Sequence, residues 1–439
     1  MYFRISKDFN THMDANSTTV NRFKMQSNKF SGIISKNFCK TKKRLVKELI
    51  YGIQASKDVK LSNISRSLKE DIPLIKTEDR LSRNLSSEDL TAEINNQLMR
   101  IANNKVDDSM VIAIDPGDLM KPYAKAMENL CGIYDGSKHE AANGYHLCQV
   151  TAANLEHNKI TPLYCESYSS VVKDYPGSTE KLIEIIGKVT SHIGNKGTWA
   201  IDRQGDDIDL IRFFTNESLQ FVTRLTMKRY LHFGGNTARQ VKAERIHHHV
   251  KLKHKAHIHI VKDGKDEFLH LNFGAVTVAL PEYADQWYTL VIVEGFGRQP
   301  MLLLTNKSVN TNSGKELWKI VEIYLTRWKC DECYRYIKQS YNFEDFRVIS
   351  YNSIRNITVL VHAIAYFTSI YIGISLKLKI MVQKIFFLSK RFFGVPTFFN
   401  YAMADGIFEL LRLSKTGLVS YSSRIGPTQD TFQLSLFPD

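Results

Sequence analysis

Residues 111–115 read VIAID, four apolar side chains in a row closed by an aspartate. So short a run, bounded by the turn-forming DPGD that overlaps its end, fits a buried strand better than a helix. Two further strand patterns follow, GYHLCQVTAAN (144–154) and ITPLYCESYSS (160–170), with YDGS (134–137) supplying turn chemistry. STEKLIEIIGKVTSHIG (178–194) then has helical period. TWAID (198–202) repeats the opening pattern, a second apolar strand ending in an acid. DDIDLIRFF looks helical and LQFVTRL (219–225) is a fifth strand. The order three strands, helix, strand, helix, strand predicts an α/β fold.

Working outward, residues 1–108 read as a helical, basic domain carrying short amphipathic pieces such as KRLVKELIYGI, LSNISRSLKE and KTEDRLSRNL. That texture suits a small DNA-binding domain, and equally a helical bundle packed on the rest. The stretch 109–350 holds the strands above. Within it residues 228–310 alternate in a β manner (KAHIHIVK, FLHLNF, VTVALP, YTLVIVEGF) and carry 8 of the 14 His, which predicts an inserted antiparallel β subdomain. KELWKIVEIYLTRWKCDECYRYIKQSY (315–341) has no Gly or Pro and reads as one long helix. Residues 351–415 look mostly helical, and 416–439 form a polar tail.

The bulk numbers restrict function. With 43% hydrophobic, 11% aromatic and 24% charged residues the chain is that of a folded protein, not a disordered one. Lys and Arg outnumber Asp and Glu by 59 to 45, giving +14. The excess concentrates in residues 1–100 (19 basic, 11 acidic) and 225–270 (10 basic, 4 acidic), which predicts a long polyanionic partner. The six Cys form no dense framework and the N-terminus has no signal-peptide apolar region, so the expected compartment is a reducing cytoplasm. ITVLVHAIAYFTSIYIGISL (357–376) is uncharged and long enough to span a bilayer, but its His, Thr, Ser and Gly favour a helix buried in a soluble body, and no membrane partner is expected.

Asp115 and Asp202 each stand just past the C-terminal end of a hydrophobic strand, the edge where neighbouring strands can bring carboxylates together. Adjacent carboxylates repel unless a cation neutralises them, so the pair reads as a Mg²⁺ or Mn²⁺ site. The plainer alternative is that Asp115 opens the turn DPGD and Asp202 caps the following helix. A third acid on a helix would complete two-metal phosphoryl chemistry. In YLTRWKCDECYRYIK (324–338), at about 100° per residue, Asp331 shares a face with Tyr324, Arg327, Arg335 and Lys338, while Glu332 is turned by about 100°.

Tyr324, Arg327, Asp331 and Lys338 fit the Y-x2-R-x3-E-x6-K signature, with Asp in place of Glu, and thereby resemble bacterial DDE transposases of the insertion-sequence-four type. AIDRQGDD around Asp202 and IAIDPGDLMKP around Asp115 look like that family's acid blocks, although Gln204 intervenes before Gly205. The resemblance spans roughly residues 40–410. It implies an RNase H-like catalytic core with a β insertion, flanked by an N-terminal helical domain and C-terminal helices. It implies Asp115, Asp202 and Asp331 as ligands of two Mg²⁺ ions (Mn²⁺ substituting), with Glu332 in reserve for Asp331, and Tyr324, Arg327, Arg335 and Lys338 on DNA. The partners implied are transposon-end and target DNA and a second copy of the chain in a homodimer; the setting is a bacterial cytoplasm, at the nucleoid. Two other readings stay open: an inactive DNA-binding relic or repressor, and an RNase H-like nuclease without strand transfer.

Weaker signals complete the reading. RIHHHVKLKHKAHIHI (245–260) reads as a basic β surface for phosphates in preference to a zinc site, because no second ligand set accompanies it. Cys330 and Cys333 read as ordinary thiols, and Trp287 and Trp328 as core. The terminal QLSLF (Gln433, Leu434, Leu436, Phe437) resembles the pentapeptide by which bacterial replication proteins dock on the sliding clamp.

Overall fold

The computed structural model describes residues 5–135, 140–156, 159–234, 236–262, 265–372, 379–389, 398–414 and 416–418. QLSLF therefore lies outside the described residues, as does the end of the apolar run at 373–376. The chain begins with five helices, α1 (Ile5–Ile34), α2 (Lys40–Ser56), α3 (Leu61–Leu68), α4 (Leu74–Ser86) and α5 (Thr91–Ala102). Helix α2 shows why they form: Leu45, Val46, Leu49, Ile50 and Ile53 fall on one stripe and are buried, while Lys40, Lys43 and Arg44 stay exposed.

The strands and helices that follow are β1 (Val111–Met120), β2 (Cys131–Asp135), β3 (Glu140–Ala153), β4 (Ile160–Tyr168), α6 (Ser178–Ile193), β5 (Thr198–Ile201), α7 (Ile208–Asn216) and β6 (Phe221–Arg224). Strands β1, β3 and β4 are antiparallel neighbours, and β5 and β6 run parallel to β1 on its other side, giving the order β4-β3-β1-β5-β6. This is a mixed sheet whose parallel strands are joined by helical crossovers. Strand β1 is longer than VIAID implies: it runs through Pro116 and Gly117 to Met120, paired all along with β3, so DPGD is not a turn. Past Ala113 it loses β5 as a partner, and such an edge is where a strand tolerates proline.

The next segment contains β7 (Tyr230–Phe233), β8 (Asn236–Lys242), the single turn α8 (Ala243–Ile246), β9 (His254–Lys262), β10 (Lys265–Leu280), β11 (Tyr283–Glu294) and β12 (Met301–Thr305). Its pairing is antiparallel, as the alternation predicts. It does not stand apart from the core: β12 pairs with β6, so one sheet continues through β12, β11 and β10 to β7 and β8.

Helices α9 (Gly314–Thr326) and α10 (Trp328–Tyr341) replace the single helix expected over 315–341. Ser313 caps the first by accepting from the Glu316 amide at 3.3 Å, and the ladder shifts to i,i+3 bonding at Arg327, whose carbonyl accepts from the Cys330 amide at 2.8 Å. Then come α11 (Tyr351–Tyr366), a π-helical continuation over 367–371, α12 (Lys379–Leu388) and α13 (Asn400–Arg412). Helix α11 is buried against α2, α4, α5 and β4 and carries the first part of the 357–376 run. Among the described residues no helix is long and apolar enough to cross a membrane. Asn356 of α11 bonds to the Leu85 and Glu88 carbonyls, each at 2.8 Å, and to the Leu90 amide at 2.7 Å, while Asn95 of α5 bonds to both backbone groups of Cys165 on β4. The N-terminal helices are thus packed onto the sheet and α11.

Candidate active site

Alternation along the strands decides which face the acids take. Val111, Ala200 and Val222 pack with Leu317, Ile320, Val321 and Tyr324 of α9, whereas Ile112, Ile114, Trp199 and Ile201 join the core on the other face. Counting by twos puts Asp115 with Val111 and Asp202 with Ala200, so both acids point to the α9 face. The β1–β5 register ends at Ala113 opposite Ala200, two residues short of each acid, so Asp115 and Asp202 stand where the two strands part. Asp202 also does the local work expected of a cap: its carboxylate accepts from the Gln204 amide at 2.9 Å, and its carbonyl accepts from the Thr223 hydroxyl at 3.1 Å. Gly205 closes this turn because a Cβ there would sit 1.7 Å from the Ile201 side chain.

The third acid comes from α10. Arg327, at the helix junction, donates from one Nη to Asp115 at 3.2 Å and to Asp331 at 3.0 Å. Asp331 and Asp115 thus share one donor and face each other across it. Burial, then Asp331, then Asp202 push the Asp115 carboxyl up, to about 8, against the opposing pull of Arg327. Arg327 stays charged: burial opposes that, but Asp331, Asp115 and Asp202 outweigh it. Two carboxylates, from β1 and α10, therefore share a single guanidinium, which lies over the buried Tyr324 ring at 5.9 Å, and Asp202 in the β5 turn acts on them through its charge without a direct contact.

The other residues expected on this face go elsewhere. Glu332 pairs with exposed Arg335 at 2.6 Å and hydrogen-bonds Tyr401, and Lys338 pairs with Glu344 at 2.7 Å. Arg335 and Lys338 do share the Asp331 side of α10, but they stand about 6 Å and about 10 Å further along the helix, which carries them past the acids. Cys330 and Cys333 are buried free thiols, as read. Trp328, read as core, is 52% exposed at the start of α10. Gln149 was not foreseen: it is buried directly across from Asp115 on β3, a position only strand register reveals.

No family model matches this chain, and no curated protein matches it. Among solved structures, a chain of the cryo-EM structure of the piggyBac transposase synaptic complex with hairpin DNA aligns over 94% of this chain and 76% of that one. The identity is 10% and the TM-score 0.45. A likeness of that size fixes no family and transfers no residue.

The donor chemistry of the cluster, carboxyl oxygens alone, suits a hard divalent cation, whose charge would favour the ionised form of the raised Asp115 carboxyl. As arranged, however, no three His, Cys, Asp or Glu side chains among the described residues close on one point as a ligand set.

Proposed function

We propose that the chain is a DNA transposase of the DDE type with an RNase H-like core, cutting and joining phosphodiesters at the ends of an insertion sequence. What carries the reading is the meeting of Asp115 and Asp331, from β1 and α10, on Arg327, with Asp202 on the same face of the sheet near enough to act on Asp115 through its charge. Supporting it are the strand order β4-β3-β1-β5-β6, with parallel strands following three antiparallel ones, and the sequence resemblance to the insertion-sequence-four type.

Asp115, Asp202 and Asp331 would hold Mg²⁺ or Mn²⁺, which when bound would activate water and then a DNA 3′-hydroxyl for in-line attack. The chain's own groups do the rest. Arg327 draws two of the acids together and offsets their repulsion; the Gln204 amide orients Asp202. Lys329 anchors the start of α10 to the Asn154 carbonyl at 2.5 Å. The +14 charge favours DNA as partner, and a homodimer bridging two ends, a bacterial nucleoid setting and sliding-clamp docking through Gln433–Phe437 belong to the same proposal.

The test is nicking and joining of the element's terminal sequence. Wild type should nick and then join with Mg²⁺ or Mn²⁺, while Asp115→Asn and Asp202→Asn should bind the end without cutting it. Nicking without joining would make the chain a nuclease, and end binding with neither metal supporting cleavage would make it an inactive binder.

A further inference from the structure

Beyond the rest of the sheet, β9 and β10 continue as a ribbon of two strands. Strand β11 pairs with β10 only from Asn272 onward, and β7 pairs with it at Val278 and Ala279, so between Lys265 and Leu271 β10 has β9 as its one neighbour among the described residues. Alternation splits this ribbon into two faces. Ala256, Ile258 and Leu269 turn inward and pack against the cluster that includes α9, whereas Lys255, His257, His259, Phe268 and His270 are exposed. On the exposed face His257 and His270 stand directly opposite each other in the register. Their rings meet edge to face, with centroids 4.7 Å apart, planes at 84° and Nδ1 facing Nδ1 at 2.6 Å.

We propose that His257 and His270 form a binding site for a zinc-like divalent cation that clips β9 to β10. The stretch 245–260 by itself holds no second ligand set; strand pairing supplies one from β10, 13 residues beyond His257. Two imidazole nitrogens this close can share a proton or a metal ion, and a metal ion takes both lone pairs at once. Zn–N bonds of about 2.0–2.1 Å put two ligand nitrogens about 3.3 Å apart in a tetrahedral sphere. The rings need to part by only about 0.7 Å, which small rotations of two exposed side chains supply. No third His, Cys, Asp or Glu among the described residues closes on the pair, so water fills the rest of the sphere.

Ligand type separates this ion from the one proposed for the carboxylates. Imidazole suits Zn²⁺, Ni²⁺ and Cu²⁺ and leaves Mg²⁺ in its water shell, whereas Asp115 and Asp331 offer oxygen alone. The place in the fold gives the ion something to do. A two-stranded ribbon is marginal by itself, and a cation bonded to both strands adds a link where no third strand pairs with β10 among the described residues. The run His247–His249 also offers imidazoles to such ions, so the test has to follow each ring separately. The site is independent of the carboxylate cluster and of the function proposed for it.

The experiment titrates the full chain with Zn²⁺, pulses it with diethyl pyrocarbonate and follows each histidine by mass spectrometry. His257 and His270 should lose reactivity together, at one shared Zn²⁺ midpoint, while His192 on α6 keeps its rate. Mg²⁺ at the same concentrations should protect neither ring. In His270→Ala, His257 should need at least about tenfold more Zn²⁺ for the same protection, and His257→Ala should do the same to His270. Undiminished reactivity of both rings in Zn²⁺, or a midpoint for His257 unmoved in folded His270→Ala, overturns the proposal. Should that variant not fold, the wild-type titration decides: separate midpoints for the two rings overturn it equally.

Discussion

Asp331 and Glu332 are adjacent in sequence and diverge in space. Asp331 bonds Arg327 beside Asp115, whereas Glu332 is held by Arg335 and Tyr401. Asp331→Ala should therefore lower metal-dependent end cleavage by about 10³-fold or more, and Glu332→Ala by about tenfold or less. A cleavage assay with both variants checks this, and the reverse order would move the role to Glu332. Arg327 gives a second prediction. Its guanidinium is 11% exposed and Asp115 23%, so Arg327→Ala leaves two carboxylates facing each other with little water to screen them. Without added metal this should cost stability, by less than the ~3–5 kcal/mol of a fully buried pair because the site is partly wet. Thermal unfolding should show the deficit shrinking on addition of Mg²⁺, and an Arg327→Ala protein as stable as wild type in EDTA would contradict the bridging role.

Among the elements, α11 carries the clearest liability. His362 is fully buried within it, neither ring nitrogen has a hydrogen-bond partner among the described residues, and burial lowers its pKa to about 3. The folded state therefore holds the ring neutral while the unfolded chain protonates it near 6.5. Stability from this group is fully present above about pH 6.5 and is lost as pH falls towards 3, at up to about 1.4 kcal/mol per unit. His362→Leu, similar in volume, should flatten the acid limb of a Tm-against-pH curve and raise Tm at pH 5 more than at pH 8. Parallel curves for the two proteins would rule that out. The α9–α10 junction matters at the same scale: an apolar stripe forecasts helix on both sides of Arg327, but the i,i+3 step there is set by packing, and Lys338, two turns beyond Asp331 on α10, meets Glu344 and not the acids.

Across the whole molecule the two ends of the described chain are tied together. The fully buried Lys24 ammonium of α1 bonds to Ser414 Oγ at 2.8 Å and to the carbonyls of Thr416 at 2.6 Å and Gly417 at 3.3 Å. Ending the chain after Arg412 strands that ammonium, so unfolding should become easier by about 3 kcal/mol. Lys24→Met in the truncated chain should recover much of the loss by removing the unpaired charge. A denaturant titration of the four proteins measures the coupling, and additive effects of the two changes would show that the tie contributes nothing.

Strands, crossover helices and the two strand-end acids were legible in VIAID and TWAID, because burial of short apolar runs and the period of two are local properties of a chain. Helices on either side were legible from their stripes for the same reason. Three things were not. Strand β1 runs on through Pro116 because β3 supplies its partner. The 228–310 strands continue the core sheet because β12 finds β6 some 80 residues back in the chain. Asp331 meets Asp115 because a helix junction at Arg327 lays α10 on the sheet. Sequence alone determined the apolar runs, the ionisable residues and their order; register, the burial of single residues such as Gln149 and the raised Asp115 carboxyl depend on distances between segments far apart in the chain, and those exist only once the chain has packed.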